Sequence, residues 1–219
     1  MLKNAQFEVH ERFTEDEFFN EILFESKNFK VIPSLGSLIE GWLLVLPKSH
    51  FISIGAIDNS HLYNELEELV DRTCKIVENE YGNYVMFEHG PAQAETIVGC
   101  GVDYAHLHIV PIKIDLVQES SKFITNCHWD RISSLSCTSD FHKRDLPYLL
   151  VQDNSKTLFI GSAEEIPSQT FRKVIAEHLG VPNKYDWKQY PFYSNITKTI
   201  AKFSPYRTNI SLTKELQHE

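Results

Sequence analysis

The chain has 219 residues, a formal net charge of −9 at pH 7 and a hydrophobic share of 42%, which suits one domain of ordinary size or a core domain with an extension. The acidic balance argues against bulk binding of nucleic acid or of an anionic membrane, because either needs a basic face, but it permits a small anionic ligand in a local site. No signal peptide or membrane-spanning run is visible, and four cysteines without a CxxC pair predict reduced thiols in a cytoplasmic protein.

The first 115 residues predict an antiparallel core. In chain order the patterns indicate a short helix, two strands joined as a hairpin, a long helix and two further strands, at 14–24, 29–33, 42–47, 60–81, 84–88 and 104–109. Thr14 is the expected N-cap of the first helix, Asp58 or Ser60 that of the long helix, and Gly82 its end. We therefore expect an α+β fold with an antiparallel sheet of about five strands and one long helix.

The chain changes character at residue 116, which divides it into a core at 1–115 and a C-terminal extension at 116–219 that packs on the core. The first part of the extension is polar and irregular, with an aromatic and polar patch at 127–130. Beyond it the patterns predict two short strands and two helices, at 147–151, 157–160, 168–180 and 194–203. Ser168 is the expected N-cap of the first of these helices, and Gly180 its end.

One strand of the core carries residues that point to chemistry. With a period of two, Tyr104, His106 and His108 lie on one face, opposite an apolar face. A neutral imidazole can attack phosphorus when its second ring nitrogen is tied to an acceptor, and the backbone carbonyl of Tyr104 is placed to accept from His106. His108 can donate to an oxygen of the same phosphate. This pattern fits a covalent nucleotidyl-histidine mechanism that needs neither a metal nor another cofactor.

A glycine-rich segment, Gly99, Cys100 and Gly101, comes just before these histidines. Its unhindered backbone N–H groups can hold an anionic group. Donors aimed at developing charge are often the largest catalytic contribution, and one donor is worth ~3–4 kcal/mol in the best-known case. We therefore expect this segment to stabilise the charge that builds up on the phosphate oxygens.

Two separated motifs resemble those of one family. The stretch His106–Pro111, which follows the glycine-rich segment, resembles the signature of the histidine triad (HIT) superfamily, His-φ-His-φ-His-φ-φ. The stretch Gly41–His50, GWLLVLPKSH, resembles the family's second marker, usually Gly-His-x-Leu-Val-Ile-Pro-Lys-x-His. The match covers residues 24–114, and Phe87–Gly90 resembles a subgroup with a C-terminal extension. The resemblance implies a HIT-like fold and nucleotidyl hydrolysis or transfer at the α-phosphorus of a nucleoside phosphate ester, anhydride or phosphoramidate.

The resemblance also implies roles for individual residues. It makes His106 the nucleophile and His108 the last histidine of the triad, with Tyr104 in place of the first. Trp42 stands where the family has the histidine of its Gly-His pair, and Ser34 stands where it often has a ribose-binding Asp. The other expected substrate contacts lie near the phosphate or at a strand end, and they are Lys48, His50, Glu88, His89, Gly99, Cys100 and Gly101. The implied partners are a nucleotide or nucleotide-conjugate substrate and a second copy in a possible homodimer.

Two other functions stay open at this point. Tyr104 and Ser34, as departures from the family pattern, fit a protein that binds nucleotides and turns them over weakly. His106 and His108 also fit a metal-dependent hydrolase, because a His-x-His pair on a strand puts both imidazoles on one face. The third metal ligand would then be Cys100, His89 or His50.

Overall fold

The structure, a computed structural model, describes residues 18–93, 104–162 and 165–207. Within these ranges the chain forms eight strands and five α-helices. The strands are β1 (Phe24–Glu25), β2 (Phe29–Pro33), β3 (Leu43–Pro47), β4 (Val85–Gly90), β5 (Leu107–Val110), β6 (His128–Ile132), β7 (Tyr148–Gln152) and β8 (Leu158–Ser162). The helices are α1 (Ser60–Tyr81), α2 (Leu116–Ser120), α3 (Thr138–Lys143), α4 (Thr170–His178) and α5 (Tyr193–Phe203).

All of the described strands lie in one antiparallel sheet, in the order β1-β2-β3-β5-β4-β7-β8-β6. The α+β class and the hairpin of β2 and β3 are confirmed, but the expected number of about five strands is wrong. Five strands come from residues before 116, and three more come from the extension. The reason is β7, whose sequence YLLVQ is apolar on both faces and is buried when it pairs with β4. The division at residue 115 stays a prediction.

Alternation along the strands gives the sheet two different faces. On one face, Leu43, Val45, Met86, Leu107 and Ile109 pack against buried residues of α1, and we call this the helix face. The buried positions of α1 recur at helical spacing, at Tyr63, Leu66, Leu69, Val70, Thr73, Cys74 and Val77. The opposite face carries His106 and His108 and is covered by apolar residues of α4, and we call this the histidine face. The core therefore consists of two layers with the sheet between them.

The C-terminal part of the chain is tied to the turn at 34–41, which joins β2 and β3. Three hydrogen bonds of 2.8–2.9 Å connect Gly36 N–H to Pro191 O, Asn195 Nδ2–H to Ser37 O and Gly41 N–H to Thr199 Oγ1. They fix α5 beside the hairpin, and they hold the segment that follows α4 against the sheet. The extension thus helps to enclose the histidine face.

Two helix caps differ from those that the sequence predicts. The long helix α1 is capped by Asn59, not by Asp58 or Ser60, because the extended backbone of Asn59 lets its side chain accept from His61 N–H at 2.8 Å. Gly82 ends this helix with a φ of 81°, as expected. Helix α4 begins at Thr170 rather than after Ser168. Gln169 adopts a left-handed conformation, so the chain enters the helix one residue later.

The predictions of local structure for two segments, 14–24 and 116–145, are also wrong. Where a helix is expected at 14–24, the described part has a 3-10 turn at Phe18–Asn20 and then β1, because Leu23 N–H pairs with Val31 O at 2.8 Å; Thr14 lies outside the described residues. The segment 116–145, expected to be irregular, contains α2, β6 and α3. β6 is an exposed edge strand, so its sequence has no alternating apolar pattern that would predict it.

The structure also bears on the expectations about membrane-spanning segments and cysteines. Among the described residues, no helix has both the length and the apolar composition that crossing a membrane requires. Cys74, Cys127 and Cys137 are free thiols, and Cys100 lies outside the described residues. The cytoplasmic location and the homodimer stay predictions.

Candidate functional site

Three imidazoles lie on the histidine face. His108 pairs with Phe87 across β4 and β5, where the pairing of these two strands ends, and His89 follows two residues later on the same side of β4 as Phe87. The ring centroids of His106 and His108 are 4.9 Å apart, and Phe87 stacks on His108 at 4.4 Å. Phe87 also lies 6.1 Å from the ring of His89, so the rings of His89 and His108 lie on either side of one phenyl ring.

His106 is held as a neutral base. Its Nδ1 lies 2.7 Å from the backbone oxygen of Tyr104, and a carbonyl only accepts, so Nδ1 carries the proton and Nε2 keeps its lone pair. Burial lowers the pKa of His106, the carbonyl of Tyr104 opposes that shift, and the cation of Arg172 lowers the pKa further. The hydrogen bond expected from the strand geometry is present, and Nε2 is left as a nucleophile.

His108 is held in the opposite tautomer. Its Nδ1 accepts a hydrogen bond from Trp42 Nε1–H at 2.9 Å, and an indole only donates, so the proton of His108 lies on Nε2. This Nε2 is buried and has no hydrogen-bond partner in the described part of the chain. Burial, followed by the charges of His106 and Arg172, keeps the pKa of His108 well below its usual value. His108 therefore offers an unpaired N–H donor beside the nucleophile.

Tyr104 contributes its backbone to the site rather than its phenol. The hydroxyl donates to the carbonyl of Pro47 at 2.6 Å, and burial raises the pKa of the phenol. The ring lies against His50, with centroids 5.5 Å apart. The side chain thus anchors the end of β3, while the carbonyl fixes the tautomer of His106.

Trp42 and Arg172 form a buried support under His108. Trp42 is fully buried, and the guanidinium carbon of Arg172 lies 4.9 Å from the centroid of its ring. Arg172, on α4, also donates to the carbonyls of Gly36 and Tyr185, the latter at 2.8 Å. The sequence reasoning missed Arg172. The available signal was an arginine at a helix position that faces the core together with Ile175.

His89 is the least satisfied of the three buried imidazoles. It is 2% exposed, and neither of its ring nitrogens has a hydrogen-bond partner among the described residues. Burial lowers the pKa of His89 to about 3, and the charges of His106 and Lys173 act in the same direction. Its ring centroid lies 4.9 Å from that of Phe171 on α4. At neutral pH His89 is therefore an uncharged imidazole with one free N–H.

Two of the expected contacts lie apart from the histidines. Glu88 faces the helix side of the sheet, where its carboxylate accepts from Ile54 N–H at 2.7 Å and from Tyr148 Oη–H at 2.6 Å. Burial raises the pKa of Glu88 to about 7. Ser34 is buried in the hairpin turn, with its N–H donating to Trp42 O at 2.9 Å and its hydroxyl to Leu35 O at 3.3 Å. The structure does not bring either side chain to the nucleophile.

The remaining candidates are exposed or lie outside the described residues. Lys48 forms an exposed ion pair with Glu25 at 2.6 Å, and His50 is exposed beside Tyr104. The expected phosphate-binding residues Gly99, Cys100 and Gly101 fall outside the described ranges. Within those ranges, no three His, Cys, Asp or Glu side chains are grouped so as to hold a metal ion.

Comparison with known proteins finds similar chains among solved structures. No protein-family model and no curated protein matches the chain. A hypothetical histidine triad nucleotide-binding protein from Sulfolobus tokodaii is similar at 22% identity, with 41% of this chain and 58% of that chain covered and a TM-score of 0.33. A Hit-like protein involved in cell-cycle regulation from Bartonella henselae is similar at 18% identity, with 57% and 85% covered and a TM-score of 0.34. The chain thus spans little more than half the length of the first of these proteins.

Proposed function

We propose that this protein is a metal-independent nucleotide hydrolase or nucleotidyltransferase that acts at the α-phosphorus of a nucleoside phosphate ester, anhydride or phosphoramidate. The observation that carries the proposal is the 2.7 Å hydrogen bond between His106 Nδ1 and Tyr104 O, which leaves Nε2 as a buried, neutral nucleophile. The unpaired N–H of His108 beside it and the two motifs that resemble the histidine triad superfamily support the same function.

The first chemical step is attack by His106. Its Nε2 lone pair forms a bond to the α-phosphorus, and the bond to the leaving group breaks with its electron pair going to the leaving group, which takes up a proton from solvent when it departs as an amine or an alcohol. His106 then carries a positive charge, which the hydrogen bond from Nδ1–H to the carbonyl of Tyr104 stabilises. In the second step the oxygen of water or of an acceptor attacks phosphorus, and attacking water releases a proton to solvent. The P–N bond breaks, and its electron pair returns to Nε2.

The other residues hold the phosphate while this happens. His108 donates its Nε2–H to a nonbridging oxygen, and the hydrogen bond from Trp42 keeps that proton in place. We assign the backbone N–H groups of Cys100 and Gly101 to the same charge, as the glycine-rich sequence predicts. A neutral donor that is already oriented costs no reorganisation when charge develops, which is the physical reason for a buried site.

The direct test is the variant His106→Ala, assayed on dinucleoside polyphosphates and nucleoside phosphoramidates. We expect turnover to fall by about 1,000-fold or more, because removal of a covalent nucleophile leaves only binding and charge stabilisation. His128→Ala is the matched control, since His128 lies exposed on the edge strand β6, and its turnover should equal that of the wild type. Unchanged turnover in His106→Ala would remove His106 from the nucleophile role.

One observation favours a second candidate, a nucleotide-binding protein with little turnover. The first triad position is a phenol, and its hydroxyl is engaged by Pro47. This candidate predicts measurable binding of mononucleotides by calorimetry together with no covalent intermediate on any substrate in the panel. A nucleotidyl adduct trapped on His106 excludes it.

A further inference from the structure

Arg172 is a buried cation in the layer that covers the histidine face. It is 1% exposed, and its neighbours on α4, Phe171 and Val174, are buried apolar residues. Removing a charge from water costs free energy even where the protein accepts its hydrogen bonds, and an uncharged side chain covers a sheet equally well. Packing alone therefore does not account for a charge at this position.

Two backbone carbonyls hold the guanidinium in one place. Its Nε–H donates to Tyr185 O at 2.8 Å, in the segment after α4, and an Nη2–H donates to Gly36 O, in the turn at 34–41. Gly36 has a φ of 76°, and a Cβ atom there would lie only 2.7 Å from Nη2 of Arg172. The turn thus admits the guanidinium because residue 36 has no side chain. Because the guanidinium is planar, two anchors on different segments fix its orientation as well as its position.

The aromatic ring next to this guanidinium is that of Trp42. The guanidinium carbon lies 4.9 Å from the ring centroid, within the range in which a cation is attracted to the face of an indole. On its other side, Trp42 donates Nε1–H to Nδ1 of His108 at 2.9 Å. A cation at the face draws the π electrons of the ring towards itself, which makes the N–H more positive and a stronger donor. The contacts therefore run from Arg172 through the indole to His108.

The N–H of Trp42 decides which nitrogen of His108 carries the proton. Because Nδ1 accepts from the indole, the proton lies on Nε2, the buried nitrogen that has no partner in the described part of the chain. With a weak indole donor the proton would also occupy Nδ1, and Nε2 would then present a lone pair instead of an N–H to a phosphate oxygen. Burial lowers the pKa of His108, and the cation of Arg172 acts in the same direction, so the ring holds one proton at neutral pH.

From this geometry we infer that Arg172 is a positioning residue, which acts through Trp42 to keep the proton of His108 on Nε2. The inference rests on the proposed function for the use of that proton, whereas the tautomer is a property of the ligand-free protein. It gives the C-terminal part of the chain a role in the reaction, because α4 supplies the charge while β3 and β5 carry or adjoin the two rings.

The test compares Arg172→Gln with Arg172→Lys. Gln keeps an N–H donor for the carbonyls and loses the cation, whereas Lys keeps the cation and loses the planar fork. Nitrogen NMR of the imidazoles in the ligand-free protein at neutral pH reports the tautomer. We expect the proton of His108 to lie on Nε2 in the wild type and in Arg172→Lys, and to be shared between the two nitrogens in Arg172→Gln.

A double-mutant cycle separates action through the indole from a structural role. We expect Arg172→Gln to lower kcat/KM by about five-fold in the otherwise unchanged protein. In the Trp42→Phe background the same substitution should lower kcat/KM by less than about two-fold, because the donor that the cation strengthens is already gone. A role confined to folding would give the same loss in both backgrounds.

The matched control is Lys188→Gln. The ammonium of Lys188 lies 5.6 Å from the centroid of the Trp187 ring, so this pair is also a cation beside a tryptophan in the C-terminal part of the chain, but Lys188 is exposed and Trp187 contacts a different group of buried residues. We expect the tautomer of His108 and kcat/KM to stay as in the wild type.

Several results would overturn the inference. They are a proton of His108 on Nδ1 in the wild type, an unchanged tautomer in Arg172→Gln, and the same change of tautomer in Arg172→Gln and Arg172→Lys. The wild-type measurement decides the first of these even where a variant does not fold. Turnover that does not depend on His106 would instead contradict the proposed function and leave the tautomer result standing.

Discussion

Glu88 and His89 are consecutive residues of β4, both almost fully buried, and they point to opposite faces of one sheet. On the helix face, both oxygens of Glu88 are paired, with Ile54 N–H and with the hydroxyl of Tyr148. On the histidine face, neither nitrogen of His89 is paired, and Nε2 of His108 is also free of partners among the described residues. Buried polar groups in folded proteins are nearly always paired. The carboxylate of Glu88 is therefore satisfied within the fold, whereas the imidazoles of His89 and His108 keep donors that a ligand can use.

The two faces also respond to pH in opposite directions. Burial raises the pKa of Glu88 from 4.5 to about 7, so the folded state holds this proton more tightly than the unfolded state. Burial lowers the pKa of His89 from 6.5 to about 3, so the folded state holds that proton less tightly. Glu88 therefore makes the protein less stable as the pH rises from 4.5 to about 7. His89 makes it less stable as the pH falls from 6.5 to about 3.

The largest expected effect comes from removing the charge on the helix face with Glu88→Gln. Below pH 4.5 Glu88 is protonated in both states, and above about pH 7 its buried carboxylate is ionised in both at a cost to the folded state. A tenfold difference in proton affinity between the two states corresponds to about 1.4 kcal/mol. Across this pH range the free energy of unfolding of the variant should therefore rise by about 3 kcal/mol relative to that of the wild type. Urea unfolding at pH 4.5 and pH 7.5 measures this gain. Parallel stability curves for the two proteins would show that Glu88 does not titrate as described.

A smaller effect is expected on the histidine face from Trp42→Phe. The variant loses the N–H that fixes the tautomer of His108, so we expect kcat/KM to fall by about ten-fold. Nitrogen NMR of the imidazoles should then show the proton of His108 shared between its two ring nitrogens. Trp129→Phe, on the edge strand β6, is the control and should keep the wild-type kcat/KM. A normal rate with an unchanged His108 tautomer would contradict the role of Trp42.

The smallest effect is expected from Lys48→Met, which touches neither face. The ion pair of Lys48 with Glu25 is exposed, with side-chain exposures of 37% and 51%, so its loss should cost less than about 1 kcal/mol of unfolding free energy. Affinity for nucleoside monophosphates, measured by calorimetry, should stay within about two-fold of the wild type. A ten-fold loss of affinity would show that Lys48 reaches the substrate, as the resemblance implies.

The sequence predicts those parts of the molecule that depend on local periodicity. The helical spacing of Leu66, Leu69, Val70 and Val77 predicts α1, and the period of two at 104–109 predicts that the carbonyl of Tyr104 orients His106. The pairing of β4 with β7 is not predicted, because it joins segments 60 residues apart. The local pattern of each segment predicts a strand but does not indicate which strand it pairs with. The lack of partners at His89 depends on burial by α4, which no local pattern contains.

The proposal that the histidine face performs covalent catalysis is tested most directly by mass spectrometry of the protein quenched during turnover of a nucleoside phosphoramidate or dinucleoside polyphosphate. A nucleotidyl-histidine predicts added mass equal to one nucleotidyl group on the peptide that contains His106. The adduct should be labile in acid, as a P–N bond is, and absent in His106→Ala. Turnover without any adduct, or an adduct on a residue other than His106, would contradict the account.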